Sequence, residues 1–108
     1  MVKIAIYNLS ERELENEEKI SEVARAVLGA ILSIPRIGLR EEDISFTFPR
    51  DFTGKSEKVL VVITEGSFFR GKVNFQVRRV ICQRVIGALQ TVLRREAGNI
   101  SVEMKRPK

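Results

Sequence analysis

Apolar residues along this chain recur first at every second position, then at helical spacing, then at every second position again, and the whole cycle occurs twice. In the first cycle, alternation predicts one strand over residues 2–8 and another over residues 44–48. Between them, an apolar stripe with i, i+3, i+4 spacing predicts one continuous helix that starts after Ser10 and stops at Pro35. The stripe consists of Ile20, Val23, Ala24, Val27, Leu28 and Ile31. Ser10 and Glu13 have the spacing of a capping box, which would satisfy free backbone donors at the helix start.

The second cycle repeats this order with a more apolar first strand. Residues 59–63 are unbroken and apolar, as expected of a central strand that is covered on both faces. Helical spacing over 77–92 predicts a second helix, and alternation over 100–104 predicts a last strand. The polar stretch 51–57 and the segment 66–74, which contains Gly71, are predicted loops.

Short segments recur in the same order in the two cycles. Residues 3–6 (KIAI) reappear as 58–61 (KVLV), residues 27–31 (VLGAI) as 85–89 (VIGAL), and residues 44–48 align with 100–104, at separations of 55, 58 and 56 residues. The repetition predicts a single domain over 1–108 made of two pseudo-repeats, 1–54 and 55–108. Right-handed crossovers then place both helices on one face of a four-stranded mixed sheet, which is a two-layer α/β sandwich of the α+β kind.

The pattern leaves two architectures open. In a ferredoxin-like sheet the two β-α-β units interleave, so the first and second strands are not neighbours. In the other arrangement each unit keeps its two parallel strands adjacent, and the units join through their first strands. Both place the first and third strands at the centre, so strand hydrophobicity does not separate them.

Composition removes several classes of chemistry. The chain of 108 residues has no histidine and a single cysteine, Cys82, so histidine triads, an internal disulfide and the usual zinc sites are excluded. No phosphate-binding glycine motif occurs, and we therefore expect neither a cofactor nor a metal. Cys82 lies in the second helical stripe, where a small core residue is expected rather than a reactive thiol. The apolar runs are too short to span a bilayer and no secretory stretch opens the chain, which favours a cytoplasmic protein.

Two segments carry a resemblance to a known family. Residues 38–45 (GLREEDIS), followed by Phe48 and Pro49, resemble the approach to the second strand in tautomerase-superfamily proteins such as 4-oxalocrotonate tautomerase and macrophage migration inhibitory factor. Residues 62–69 (VITEGSFF), with a helix opening near Val77, resemble the start of that family's second unit. The match is a soft pattern of apolar positions and turns over the whole chain, and it favours the second architecture.

The resemblance implies a homotrimer with sites between subunits that bind a small carboxylate. In the family, an N-terminal proline acts as general base in keto–enol tautomerisation, and cationic side chains hold the substrate. Here the proline position is Val2, whose amine becomes terminal only if Met1 is removed. Arg12 falls at the position of one substrate-binding arginine. The other aligns with Ser45, and Arg50, just past the strand, is the candidate to replace it. Enzyme activity is therefore an open question for this chain, and a non-catalytic relative is the second form of the same hypothesis.

The charge distribution supports an alternative from another class. Residues 1–66 contain nine Lys and Arg against twelve Asp and Glu, whereas residues 67–108 contain ten against two and end in a basic tail. Five arginines lie within the predicted second helix or directly after it: Arg78, Arg79, Arg84, Arg94 and Arg95. This asymmetry fits a ferredoxin-like module that contacts nucleic acid through its second helix. It also fits complementarity between helices or subunits, or a solvated surface.

Overall fold

The structure, a computed structural model, describes residues 2–34, 38–50, 58–64 and 75–105. Its strands and helices are, in chain order, β1 (Val2–Tyr7), α1 (Glu11–Glu15), α2 (Glu17–Leu32), β2 (Ile44–Thr47), β3 (Val59–Thr64), α3 (Phe75–Leu93) and β4 (Ile100–Lys105). Short 3-10 helices, Glu41–Asp43 and Ala97–Asn99, precede β2 and β4 at equivalent points of the two cycles. The predicted strands and the second helix are thereby confirmed. The helix stop at Pro35, the predicted loops 51–57 and 66–74 and the tail beyond Lys105 lie outside the described residues.

The order of the strands decides between the two architectures. It is β2-β1-β3-β4. The first two strands are hydrogen-bonded neighbours and run parallel, with Val2 opposite Ile44, while β1 and β3 run antiparallel, with Ile6 opposite Val61. Strands β3 and β4 form the second parallel pair. The interleaved ferredoxin-like order is therefore wrong for this chain, because it would separate β1 from β2.

One face of this sheet carries the hydrophobic core. Every second strand residue points toward α2 and α3, where it meets the apolar stripes of the helices. The fully buried side chains are Val2, Ile4, Ile6, Leu9, Val23, Val27, Ile31, Val59, Val61, Ile63, Ile81, Val85 and Leu89. The alternation and the helical stripes that the sequence shows are thus the two halves of one core. No helix within the described ranges is long and apolar enough to cross a membrane.

The opposite face of the sheet, which we call the open face, lies away from α2 and α3. The register brings Ala5 beside Val62 and Tyr7 beside Leu60 at its centre. All four side chains are half-buried, while the helix-facing residues of the same two strands are buried. Polar residues surround this apolar centre: Lys3, Ser45, Thr47, Thr64, Ser101, Glu103 and Lys105. The unbroken apolar run of β3 therefore has one half in the core and the other half on the open face.

The continuous first helix that the sequence predicts is wrong, because the chain breaks at Asn16. Asn16 adopts an extended conformation (φ −96°, ψ 101°), and its side chain accepts a hydrogen bond from the backbone N–H of Lys19 at 3.2 Å. It thus ends α1 and caps α2. The predicted capping box at Ser10 is present, since Ser10 Oγ accepts from Glu13 N–H at 3.2 Å and the Glu13 carboxylate accepts from Ser10 N–H at 2.9 Å. Two capping residues six positions apart give two helices instead of one.

Replacing Asn16 with alanine tests this break. Because Asn16 caps α2, Asn16→Ala should lower the free energy of unfolding by about 1 kcal/mol, measured by urea denaturation. In a continuous helix the same change would raise stability, since alanine is the better helix former. Ser21→Ala, at an exposed position inside α2, is the matched control and should not destabilise the protein. A stabilised Asn16→Ala variant would contradict the break.

Candidate functional site

Val2 begins β1 at the edge of the sheet where β2 also begins. Its backbone lies opposite Ile44, and its side chain is fully buried against the helices. The side chain therefore belongs to the core, and only the main-chain nitrogen of Val2 is a candidate for chemistry. In a chain that starts at Val2, the terminal amine would stand at this edge of the sheet.

Arg12 lies on α1, beyond the other end of β1. The capping box fixes the start of α1, but the helix is only five residues long and none of them is buried. Arg12 is exposed and lies on a shallow, nearly flat surface beside Glu15, Asn16, Glu17 and Glu18. The guanidinium of Arg12 is therefore accessible to a ligand, in a surrounding that is otherwise acidic.

Arg50 follows β2 and reaches the same region as α1. Together with Glu17 and Ser21 it lines a groove of about 440 Å³. The apolar lining of this groove consists of Leu14, Ile20 and Phe48. Phe48 stacks on Phe46 with ring centroids 6.4 Å apart and an interplanar angle of 14°. Both rings pack against the core, as the alternation predicts. Since the break at Asn16 separates Leu14 from Ile20, it lets α1 and α2 both contribute to one groove.

The sheet geometry separates these candidates. Strand β1 rises by ~3.3 Å per residue, so Val2 and Tyr7 lie about 17 Å apart. Arg12 follows Tyr7, and Arg50 follows β2, which is parallel to β1, so both arginines belong to the far edge. Within one chain, the structure brings Arg12 and Arg50 to a common end of the sheet and places Val2 at the opposite end. A site that uses Val2 and Arg12 together must take them from two copies.

Two contacts tie the region of Arg12 to the end of α3. Arg95 Nη2 donates to Glu13 Oε1 at 2.8 Å, with the two side chains 27% and 16% exposed. Lys19 Nζ donates to the carbonyl oxygen of Val92 at 2.6 Å. One ion pair and one bond to a backbone carbonyl thus join α1 and the start of α2 to the end of α3 and the residues just after it.

These contacts also bear on the basic second helix. Arg95 pairs with Glu13, and Arg84 donates to Ser33 Oγ at 2.8 Å, so part of the positive charge of α3 is used within the chain. Complementarity between neighbouring helices therefore accounts for Arg95. The nucleic-acid hypothesis, which assumed the interleaved sheet, gains no support.

The edge that holds Val2 also carries cationic side chains that the sequence pattern did not single out. On the open face, the register places Lys3 beside Thr64 and Thr64 beside Lys105. Lys3 and Lys105 are exposed. They are 102 positions apart in the chain, so only the strand order brings them into one row. Among the described residues, no group of three or more Cys, Asp or Glu side chains is arranged to hold a metal ion.

Comparisons with known proteins identify the fold. No protein-family model and no curated protein sequence matches the chain. Among solved structures, malonate semialdehyde decarboxylase matches with a TM-score of 0.69 and 13% identity, over 100% of this chain and 84% of that one. MIF2 from Leishmania major matches with a TM-score of 0.67 and 17% identity, over 100% and 90%. A fused 4-OT described as a symmetric trimer matches with a TM-score of 0.65 and 10% identity, over 98% and 84%.

The chain therefore has the fold of the tautomerase superfamily, as the resemblance in its sequence predicts. At 10 to 17% identity the likeness extends to the fold alone. The similar proteins differ in what they do, since one is a decarboxylase that also has hydratase activity. The reaction of this chain is accordingly a matter for its own side chains.

Cys82 is half-buried on α3, and its surroundings make it a poor nucleophile. Burial raises the pKa of the thiol, and a backbone hydrogen bond opposes this only in part. A raised pKa means a smaller fraction of thiolate at neutral pH.

We predict that iodoacetamide alkylates Cys82 more slowly at pH 8 than it alkylates a short unstructured cysteine peptide. The alkylation rate, measured by mass spectrometry, should still rise between pH 9 and pH 10. Protein unfolded in urea is the control and should react like the peptide. A rate that levels off below pH 8.5 would contradict the raised pKa.

Proposed function

We propose that this chain assembles as a homotrimer through its open face and binds a small carboxylate between copies. In a chain that starts at Val2, the terminal amine acts as general base in keto–enol tautomerisation, and Arg12 of a neighbouring copy holds the substrate's carboxylate. The observation that carries this proposal is the separation of Val2 and Arg12 at opposite ends of β1, in a fold shared with a trimeric 4-OT.

The open face supports the assembly. Ala5, Tyr7, Leu60 and Val62 form an apolar centre on the face of the sheet opposite to α2 and α3. A contiguous apolar patch with a polar rim is typical of a protein interface. Copies that pack these centres together would complete the burial of β3 on its second face. In the proposed trimer, the same packing would bring the Val2 edge of one copy toward Arg12 of another.

The proposed reaction moves one proton and changes no oxidation state. The amine takes the proton from the hydroxyl of a 2-hydroxy-dienoate or an aryl enolpyruvate, and the carbonyl forms. The protonated amine then delivers this proton to the carbon of the former enol double bond and returns to its neutral state. A terminal amine has a pKa of about 7.7–8.0, which suits a base at neutral pH. The substrate's carboxylate stays charged throughout and pairs with the guanidinium of Arg12.

Retention of Met1 would remove the proposed catalytic activity. One extra residue displaces the terminal amine by up to ~3.5 Å, which exceeds the tolerance of proton transfer. Such a protein would keep the assembly and the carboxylate site but act as a non-catalytic relative. The state of the N-terminus thus separates the two forms of the proposal.

The assembly is tested by placing a charge on the open face. Sedimentation velocity of the unmodified chain should give about 37 kDa, three times the mass of the 12.3 kDa chain. Leu60→Asp should give a monomer with an unchanged far-UV circular dichroism spectrum, because a buried unpaired carboxylate opposes association while the helix-facing core is untouched. Gln83→Asp on the exposed side of α3 is the control and should remain trimeric. An unmodified chain that sediments as a monomer, or a trimeric Leu60→Asp, would refute the interface.

The chemistry is tested with two forms of the protein that differ only at the N-terminus. Cleavage of a removable fusion yields a chain that starts at Val2, and the matched control starts at Met1. The Val2 form should ketonise the dienoate or enolpyruvate above the uncatalysed rate, and the Met1 form should be slower by about 100-fold. Arg12→Ala should raise KM by about tenfold, with Arg25→Ala on α2 as the control. An inert Val2 form would remove the enzymatic proposal.

A further inference from the structure

We infer that Arg95 is a positioning residue for the carboxylate site, because it holds α1 and thereby Arg12 in place. The inference rests on the proposed function, in which Arg12 binds the substrate. Arg95 lies 83 positions from Arg12 in the chain and pairs with Glu13, the residue next to Arg12, so its action on Arg12 would pass through Glu13.

Helix α1 depends on contacts from outside itself. It has five residues, far fewer than the ~12–15 that an isolated helix needs to be stable in water. None of its residues is buried, and Leu14 alone among them packs against the core, half-buried. The extended conformation of Asn16 separates α1 from α2. Burial of the α2 stripe therefore does not fix the direction in which α1 presents Arg12.

A single carboxylate oxygen provides the missing connection. Glu13 Oε1 accepts the N–H of Ser10 at 2.9 Å and Arg95 Nη2 at 2.8 Å. The first bond closes the capping box of α1, and the second joins that box to α3. Both are charge-assisted, and the Glu13 side chain is only 16% exposed, so competition from water is limited. Arg12 is the residue next to Glu13 and shares its turn of helix.

The end of α3 is shaped to deliver Arg95 to this position. Arg94 has a φ of 53°, in the left-handed region that usually favours glycine, and it redirects the chain after Leu93. Arg95 Nη1 is buried and has no hydrogen-bond partner in the described part of the chain. An unsatisfied buried donor disfavours this placement. The bond to Glu13, on the other nitrogen of the same guanidinium, is the contact that holds Arg95 there.

Loss of Arg95 should therefore affect binding and not proton transfer. Without it, α1 and Arg12 would move more freely, and the carboxylate would be held less well. Val2 lies at the other end of β1, so the amine would be unaffected. A positioning role for Arg95 predicts a change in KM or Kd with kcat preserved.

The test uses the trimeric protein that starts at Val2, with phenylpyruvate as the probe for binding and the aryl enolpyruvate as substrate. Arg95→Met should weaken phenylpyruvate binding and raise KM by about tenfold, with kcat within about twofold of the unmodified protein. Arg95→Lys, which keeps the charge, should restore part of the loss. Arg79→Met removes the same charge from an exposed position on α3 and should bind phenylpyruvate normally. Amide exchange should quicken at residues 11–15 and stay unchanged in α2 and the strands.

The outcomes separate this inference from the proposed function. If Arg12→Ala weakens phenylpyruvate binding and Arg95→Met does not, Arg95 has no positioning role and the carboxylate site stands. If neither variant weakens binding, the site at Arg12 is wrong, and the role of Arg95 is wrong with it. If Arg95→Met lowers kcat as strongly as it raises KM, or quickens exchange throughout α2 and the strands, the effect is a general loss of structure and the inference fails.

Discussion

A four-stranded sheet has two faces, and in the described part of this chain α2 and α3 both cover the same one. The antiparallel pairing of β1 with β3 puts Ile4, Ile6, Val61 and Ile63 beneath α2 and α3. By the alternation of strand side chains, the same pairing puts an apolar centre on the open face. The fold therefore has one complete hydrophobic core and, on the open face, an apolar surface that α2 and α3 do not cover. Self-association would cover this surface, and the proposed site between copies depends on it.

The sequence is informative wherever burial has a period. Strand and helix spacing predicted every described strand, the apolar stripes of α2 and α3, and the capping box at Ser10. It did not reveal the break at Asn16, because the apolar stripe begins only at Ile20 and does not constrain the residues before it. Strand order was also beyond reach, since both candidate architectures bury β1 and β3 at the centre. The resemblance to the tautomerase superfamily favoured the observed strand order, and the comparisons with solved structures confirm the fold that the resemblance implied.

At the candidate site, too, the sequence identified the residues but not their arrangement in space. Residue types and positions singled out Val2, Arg12 and Arg50, but their separation along the sheet follows from strand direction and not from any local pattern. Arg95 illustrates the point further: as one of five arginines near α3, it looks in the sequence like part of a basic stripe. In the fold it faces Glu13 across the helix layer. An ion pair between two common charged residues 82 positions apart leaves no periodic pattern in the sequence.

The fluorescence of Tyr7 reports whether further copies of the chain cover the open face. Tyr7 is the only tyrosine, the chain has no tryptophan, and it lies at the centre of that face beside Leu60. Acrylamide quenching of its fluorescence therefore reports on this surface alone. If copies cover the open face, Tyr7 is strongly protected in the unmodified protein at micromolar concentration and becomes accessible in the Leu60→Asp variant. Strong quenching in both proteins would show that nothing covers the open face and would contradict its burial between copies.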